Sequence, residues 1–369
     1  MATYRQVTAR TRENPETKPI NTMNYKKLFS GKRILVLGGT GSIGSVIVKE
    51  LLKYNPKQVR VYSRDESKHQ ELLFSINEKN HAKIRSLIGD VRDRDRLHFA
   101  MRDIDIVFNA AAMKHVPFCE YNPFEAVKTN VYGTQNVLDM ALENNVEKVV
   151  TISTDKAAEP SNTLGATKLL AEKLTSAANA YKGNRRTIFA SVRFGNVLGS
   201  SNSLLPIIRQ QVLAGKPVTI TDDRMTRFIM PTESAVKLVF EAVAHMEGGE
   251  IFVLKMPSVS IQDLIKAYVE LLQKHHNIKK KITYKFIGAR AGEKIHEKLL
   301  TEHEAAFSVE KENLFVVMPG ITAQILKKNG RFKGKAKRHE HAGYHSGTAP
   351  KLSHDDIKKI ILNLKETAL

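Results

Sequence analysis

Tryptophan is absent and cysteine occurs once, at Cys119. No intramolecular disulfide can form, so a disulfide-stapled scaffold is excluded and a reducing compartment is the natural fit. Cys119 is expected to be a small buried packing residue. The chain also has no run of about 18 or more apolar residues, which argues against a membrane span. Met1 to Tyr25 is polar and charged, without the apolar stretch of a signal peptide, so a cytoplasmic location is expected. Acidic residues are in deficit: 38 Asp and Glu stand against 58 Lys and Arg, for a net charge of +20. Such a field attracts anions. Seven of the cations, Lys327, Lys328, Arg331, Lys333, Lys335, Lys337 and Arg338, fall in one stretch without acids. Zinc-finger spacing and aromatic-interleaved RNA-binding motifs are missing, so this stretch is expected to be a solvated, mobile segment, nucleic acid is disfavoured as a partner, and no metal site is expected.

What is present is a globular composition, 42% hydrophobic over 369 residues, enough for a large core and about two domains. From Arg33 to about Val192, short apolar runs alternate with amphipathic stretches of helical length. The runs Arg33–Leu37, Gln58–Tyr62, Ile84–Ile88, Ile104–Phe108, Val146–Ile152 and Thr187–Val192 read as strands. That pattern predicts βαβ units in an α/β fold with a doubly wound parallel sheet, of the Rossmann type. After Phe194 the alternation loosens into shorter units: Val218–Ile220, a helix near Glu233–His245, Ile251–Leu254 and a helix near Ile261–Gln273. The expected organisation is an extension at 1–29, a nucleotide-binding domain at 30–195 and a smaller lobe at 196–325, some of whose segments return to the sheet. A basic flexible segment at 326–348 and a C-terminal helix at 349–369 follow. No internal repeat is evident.

Directly after the first strand comes Gly38-Gly39-Thr40-Gly41-Ser42-Ile43-Gly44, followed by the helical stretch Val46–Tyr54. Glycines at this spacing allow a tight turn and a close approach to a pyrophosphate, whose charge then sits at the positive end of the helix. An acid for the ribose hydroxyls of NAD would stand about 20 residues further on. Here the second strand ends in Ser63-Arg64. Arg64, with Ser63 and Lys68, suits the 2′-phosphate of NADP, which an acid would repel. Asp90-Val91 after the third strand, and Ala110-Ala111-Ala112 after Asn109 at the end of the fourth, lie on the ligand-bearing edge and leave room for adenine and ribose.

The fifth strand ends in Thr151-Ile152-Ser153-Thr154-Asp155-Lys156, and Lys168 follows twelve residues after Lys156. With these residues the chain resembles the extended short-chain dehydrogenase/reductases, and within them the 5-inverting UDP-N-acetylglucosamine 4,6-dehydratases of glycan and capsule biosynthesis. The matching stretches include Gly38–Gly44, Ser63–Glu66, Gly89–Arg92, Ala100–Asp105, Ala110–Pro117, Val127–Asn130, Ser153–Ala158, Arg193–Val197, Met225–Phe228 and Gly292–Glu297, and the segment Leu352–Leu362 is similar to that family's closing helix. The resemblance implies oxidation at sugar C4, loss of water across C5 and C6, and return of hydride to C6 with inversion at C5. It implies Lys156 as the C5 base, with a pKa lowered by the nearby positive cofactor, Asp155 as the acid at C6, Thr154 near the C4 oxygen and Lys168 on the nicotinamide ribose.

Short-chain dehydrogenases usually carry a tyrosine four residues before that lysine, where this chain has Leu164. The resemblance extends to a branch with an apolar residue there, in which the C4 proton passes to Thr154, Asp155 or a water. It also implies that Asn196, Arg227, Arg290 and Glu293 contact the nucleotide sugar, with Lys114 and His115 facing the same cleft, and that the chain forms a homo-oligomer. Relatives carry an arginine and a glycine where this chain has Ser201-Asn202, which bears on sugar identity. Two other readings compete: a C4 epimerase, which needs no acid at C6, and an NADP-binding scaffold with weakened catalysis.

Overall fold

Arg33–Leu37 (β1) is a run of apolar, mostly branched side chains, and such a run is stable only with both faces covered. In the computed structural model, which describes residues 25–198, 204–289, 292–318 and 343–364, β1 lies inside a nine-stranded sheet. It pairs in parallel with Gln58–Ser63 (β2) on one side. On the other side lies Ile106–Asn109 (β4). Ile84–Ile88 (β3), Lys148–Ile152 (β5) and Ile188–Arg193 (β6) complete a parallel order 3-2-1-4-5-6. Beyond β6 come Ile251–Leu254 in parallel, then Leu314–Val317 and Ser308–Glu310, each antiparallel to its neighbour. Strand order reverses between β1 and β4, which opens a crevice outside their carboxyl ends.

Alternation along β1 builds the two layers. Ile34 and Val36 pack with Ile47, Val48 and Leu51 of the helix Ser42–Leu52 and with Phe240 of Thr232–His245. Leu35 and Leu37 face the opposite way, onto Leu97, Val137, Leu138 and Ala141. The smaller lobe has its own core, in which Ile208 and Val212 meet Ile265, Tyr268 and Leu272 of Ile261–His275 and Ile357 and Ile361 of His354–Leu362. Its three-stranded sheet joins Asn196–Leu198, Thr226–Pro231 and Ser258–Ser260.

Several boundaries differ from the sequence-based expectation. The helix after the glycine loop begins at Ser42 and so includes Gly44. Ser353 caps the closing helix by accepting from the Asp356 amide, so that helix starts at His354. Tyr25–Phe29, expected in the extension, is a short helix whose Phe29 is wholly buried against Phe108 and Phe240, ring centroids 6.3 and 4.7 Å away. The expected return of segments within 196–325 to the main sheet is made by the strands Ile251–Leu254, Ser308–Glu310 and Leu314–Val317. The basic stretch Lys327–Arg338, Ser201, Asn202 and Arg290 lie outside the described residues.

Candidate active site

The glycine loop forms a cradle that side chains would fill. Gly38 has φ of +68°, and a Cβ there would stand 2.8 Å from the Ala110 carbonyl and the Ala111 amide. At Gly44 it would stand 2.2 Å from Gly38 O. A cleft of about 570 Å³ opens beside the loop, lined by Thr40, Gly41, Ser63, Arg64, Lys68, Asp90, Val91 and Ala110 to Ala112. These residues fit a dinucleotide: small side chains where adenine and ribose would lie, and bare backbone where a pyrophosphate would approach. Arg64 is exposed, its guanidinium 3.7 Å from Asp90, while Asp90 is held more closely by Arg92 at 2.7 Å. Asp65, the acid beside Arg64, caps the next helix by accepting from the Lys68 amide. Sequence reasoning missed His69. Its Nε2 lies 3.0 Å from Ser63 Oγ, which in turn shares a 2.8 Å hydrogen bond with Thr40 Oγ1. Burial lowers the His69 pKa.

A second cleft of about 590 Å³ continues from the first past Ser42, Ile43 and Gly44 to Lys114, His115, Ser153, Thr154, Lys156, Leu164, Lys168 and Asn196. Thr154 and Lys156 line this cleft with Asp155 buried behind them, and the Ser153 and Asp155 amides donate to Val192 O and Phe194 O, which pins the turn to the end of β6. From the other side the helix Thr163–Tyr181 packs so tightly that a Cβ on Gly165 would meet Lys156 O at 2.3 Å. Thr154 Oγ1 donates to Asp155 Oδ1 at 2.8 Å, and Lys156 Nζ donates to the same oxygen at 3.0 Å. Asp155 is fully buried, and its Oδ2 has no hydrogen-bond partner among the described residues. Lys168 donates to Ile152 O, and burial pushes its pKa down to about 8, against the pull of Glu172. Leu164, one turn before Lys168, is buried with Cys119, Ala126 and Met113.

Lys156 is held between two carboxylates. Burial alone would lower its pKa, but the Asp155 and Glu297 carboxylates outweigh burial and hold it above the usual lysine value. Glu297, to which sequence reasoning gave no role, lies 3.6 Å from Lys156 Nζ. Burial and the Asp155 charge raise its own pKa. The available signal was an acid in Gly292–Glu297, but its partner is far away in the chain.

The expected substrate residues divide into two groups. Lys114, His115 and Asn196 line the cleft with Thr154 and Lys156. Burial and Lys68 lower the pKa of Lys114; burial and Lys114 lower that of His115. Arg227 reaches this turn indirectly, its Nε 3.9 Å from Glu297 and its Nη1 donating to Thr226 O and Ile295 O. Glu293 is half-buried on a loop whose neighbour Gly292 accepts hydrogen bonds from Ser161 and Asn162.

Among the described residues no helix is long and apolar enough to cross a membrane. Residues 34–319 match the family model described as polysaccharide biosynthesis protein. An uncharacterized membrane protein of Methanocaldococcus jannaschii is 52% identical over 92% of this chain and 97% of its own. A UDP-N-acetylglucosamine 4,6-dehydratase (inverting) of Campylobacter jejuni is 45% identical over 80% of this chain and 85% of its own. A UDP-glucose 4-epimerase of Rickettsia bellii is 38% identical over 91% and 97%. Among solved structures, Pen from Bacillus thuringiensis superposes with a TM-score of 0.81 at 41% identity, covering 91% of this chain and 99% of that one. With the strand order, the glycine cradle and the Thr-Asp-Lys turn all within the matched span, the chain belongs to the polysaccharide biosynthesis protein family, on the extended short-chain dehydrogenase/reductase fold.

Proposed function

We propose that the protein is an NADP-dependent nucleotide-sugar 4,6-dehydratase that converts UDP-N-acetylglucosamine to a UDP-2-acetamido-2,6-dideoxy-hexos-4-ulose with inversion at C5. The observation that carries this reading is the 3.0 Å bond from Lys156 Nζ, whose residue lines the cleft, to Asp155 Oδ1 buried beside it. A shift of one proton along that bond leaves a neutral amine and a protonated carboxyl, the base and the acid that an elimination needs. Lys156 then takes the C5 proton while Asp155 gives its proton to the departing C6 hydroxyl, and the original ion pair is restored. Thr154, already bonded to Asp155, turns its hydroxyl toward the C4 oxygen. NADP bound along Gly38–Gly44 supplies the hydride acceptor and donor. Lys168 holds the nicotinamide ribose, and the C4 proton leaves through Thr154, Asp155 or a water, since Leu164 cannot carry it.

Arg64, Ser63 and Lys68 support NADP over NAD, because an exposed and loosely paired guanidinium can turn to a 2′-phosphate. Lys114, His115, Asn196, Arg227, Arg290 and Glu293 are assigned to the UDP-sugar, with cations facing the diphosphate. A cytoplasmic location and a homo-oligomer complete the reading. Exposed Phe118, Tyr121, Phe124 and Tyr132 on neighbouring short helical segments support the oligomer.

The Rickettsia relative favours a C4 epimerase instead. Incubation with UDP-N-acetylglucosamine and NADP⁺ in heavy water separates the two. Loss of water with deuterium at an inverted C5 is expected; unchanged mass with a new C4 configuration means the epimerase. Lys156→Ala is expected to stop deuterium uptake at C5, and normal uptake in that variant would remove Lys156 from its role.

A further inference from the structure

The reaction scheme above leaves Glu297 unused, although it joins the catalytic lysine to Arg227. Its carboxylate is nearly buried, at 6% exposure, 3.6 Å from Lys156 Nζ and 3.9 Å from Arg227 Nε. The backbone holds it there: the Glu297 amide donates to Ser346 Oγ, the Ser346 amide donates to Glu297 O, and the next residues, Lys298–Leu300, pair with Tyr344–His345. The charged groups facing it are Asp155 and Lys156 on the catalytic turn, Arg227 on Thr226–Pro231 and Lys294 on its own segment.

Two carboxylates therefore share one ammonium. Asp155 Oδ1 lies nearer to it and also accepts from Thr154, so Glu297 acts as the outer clamp that stops the lysine stem from swinging away. An ionised carboxylate this close favours the charged amine. A base must be neutral before it accepts a proton, so the clamp keeps Lys156 inactive as a base in the free protein. We propose that Glu297 is a positioning residue of the proton-transfer step, fixing the Lys156 amine beside Asp155 and keeping it protonated until the nucleotide sugar arrives. This rests on the dehydratase reading for its purpose, but the link between Glu297 and Lys156 can be tested without substrate.

The test is competitive acetylation of the full-length protein by acetic anhydride from about pH 6 to pH 11, with Lys156 labelling read by peptide mass spectrometry in wild type, Glu297→Gln and Glu297→Asp. Only the neutral amine reacts. In Glu297→Gln the labelling curve moves to lower pH, with reactivity at least about threefold higher near pH 8, and Glu297→Asp lies between it and wild type. The ascending limb of the kcat–pH profile moves the same way, which a merely structural role would not produce. Unchanged labelling in a folded Glu297→Gln protein overturns the proposal. If that variant does not fold, the aspartate, which withdraws the carboxylate by one methylene, carries the same test: wild-type labelling overturns the proposal and a shift toward lower pH sustains it. Shifted labelling in variants of a wild-type protein that does not dehydrate UDP-N-acetylglucosamine sustains the Glu297 link and refutes the dehydratase reading.

Discussion

Replacing Lys168 with methionine is expected to stabilise the cofactor-free protein near neutral pH while removing its activity. Lys168 is 6% exposed, and burial brings its pKa from 10.5 down to about 8. At about 1.36 kcal/mol per unit, holding this amine protonated inside the fold costs roughly 3 kcal/mol at pH 7. Methionine fills a similar volume without charge but gives up the hydrogen bond to Ile152 O, worth about 1 kcal/mol. The net gain is about 2 kcal/mol, or about 3 °C in Tm at a typical unfolding entropy per residue. The pH dependence supplies the sharper test. Because the folded pKa lies below the unfolded one, the unfolded chain binds more protons between pH 8 and 10.5, and wild-type stability rises with pH across that window. The advantage of Lys168→Met should therefore be full below about pH 8 and gone above about pH 10.5. Urea unfolding of both proteins, stripped of nucleotide, at pH 7 and pH 10 measures it. A variant less stable than wild type at pH 7, or a difference that does not change between the two pH values, would refute the reasoning.

Three further outcomes follow from other parts of the structure. Gly44→Ala places a methyl 2.2 Å from Gly38 O, so dinucleotide binding measured by calorimetry should weaken by about 1–3 kcal/mol, and unaltered affinity would show that the loop is not the cradle. Arg64→Ala should weaken NADP⁺ by about 2 kcal/mol and leave NAD⁺ nearly unaffected; equal losses for both would remove Arg64 from cofactor choice. Glu172→Gln breaks the contacts of fully buried Arg193 at 2.6 and 2.9 Å, leaving Glu304 as its remaining carboxylate. The expected loss is about 3 kcal/mol by urea unfolding, and a change under about 1 kcal/mol would mean the pair behaves like a surface ion pair.

Where the governing contacts are local, the sequence was readable. Arg33–Leu37 and Ile84–Ile88 fall where the apolar runs predict, and the cradle lies between β1 and its helix because glycine spacing needs no distant partner. Thr154, Lys156 and Lys168 share a cleft because a strand end and the following helix hold them. His69 was harder to find, since its place under Ser63 depends on which face of Glu66–Phe74 turns inward. The return of Leu314–Val317 to the sheet, between Ile251–Leu254 and the edge strand Ser308–Glu310, and the packing of Phe29 beneath Phe240 depend on contacts between remote segments.

By itself the sequence determined the fold class and the places of the glycine loop and of the Thr154-Asp155-Lys156 turn, because each is written in residue types at fixed short spacing along one strand–loop–helix unit. Only the tertiary structure decided how that turn is charged. Burial and the nearness of Asp155, Glu297 and Arg227 set the proton affinity of Lys156, and Coulomb forces act across space without regard to chain order.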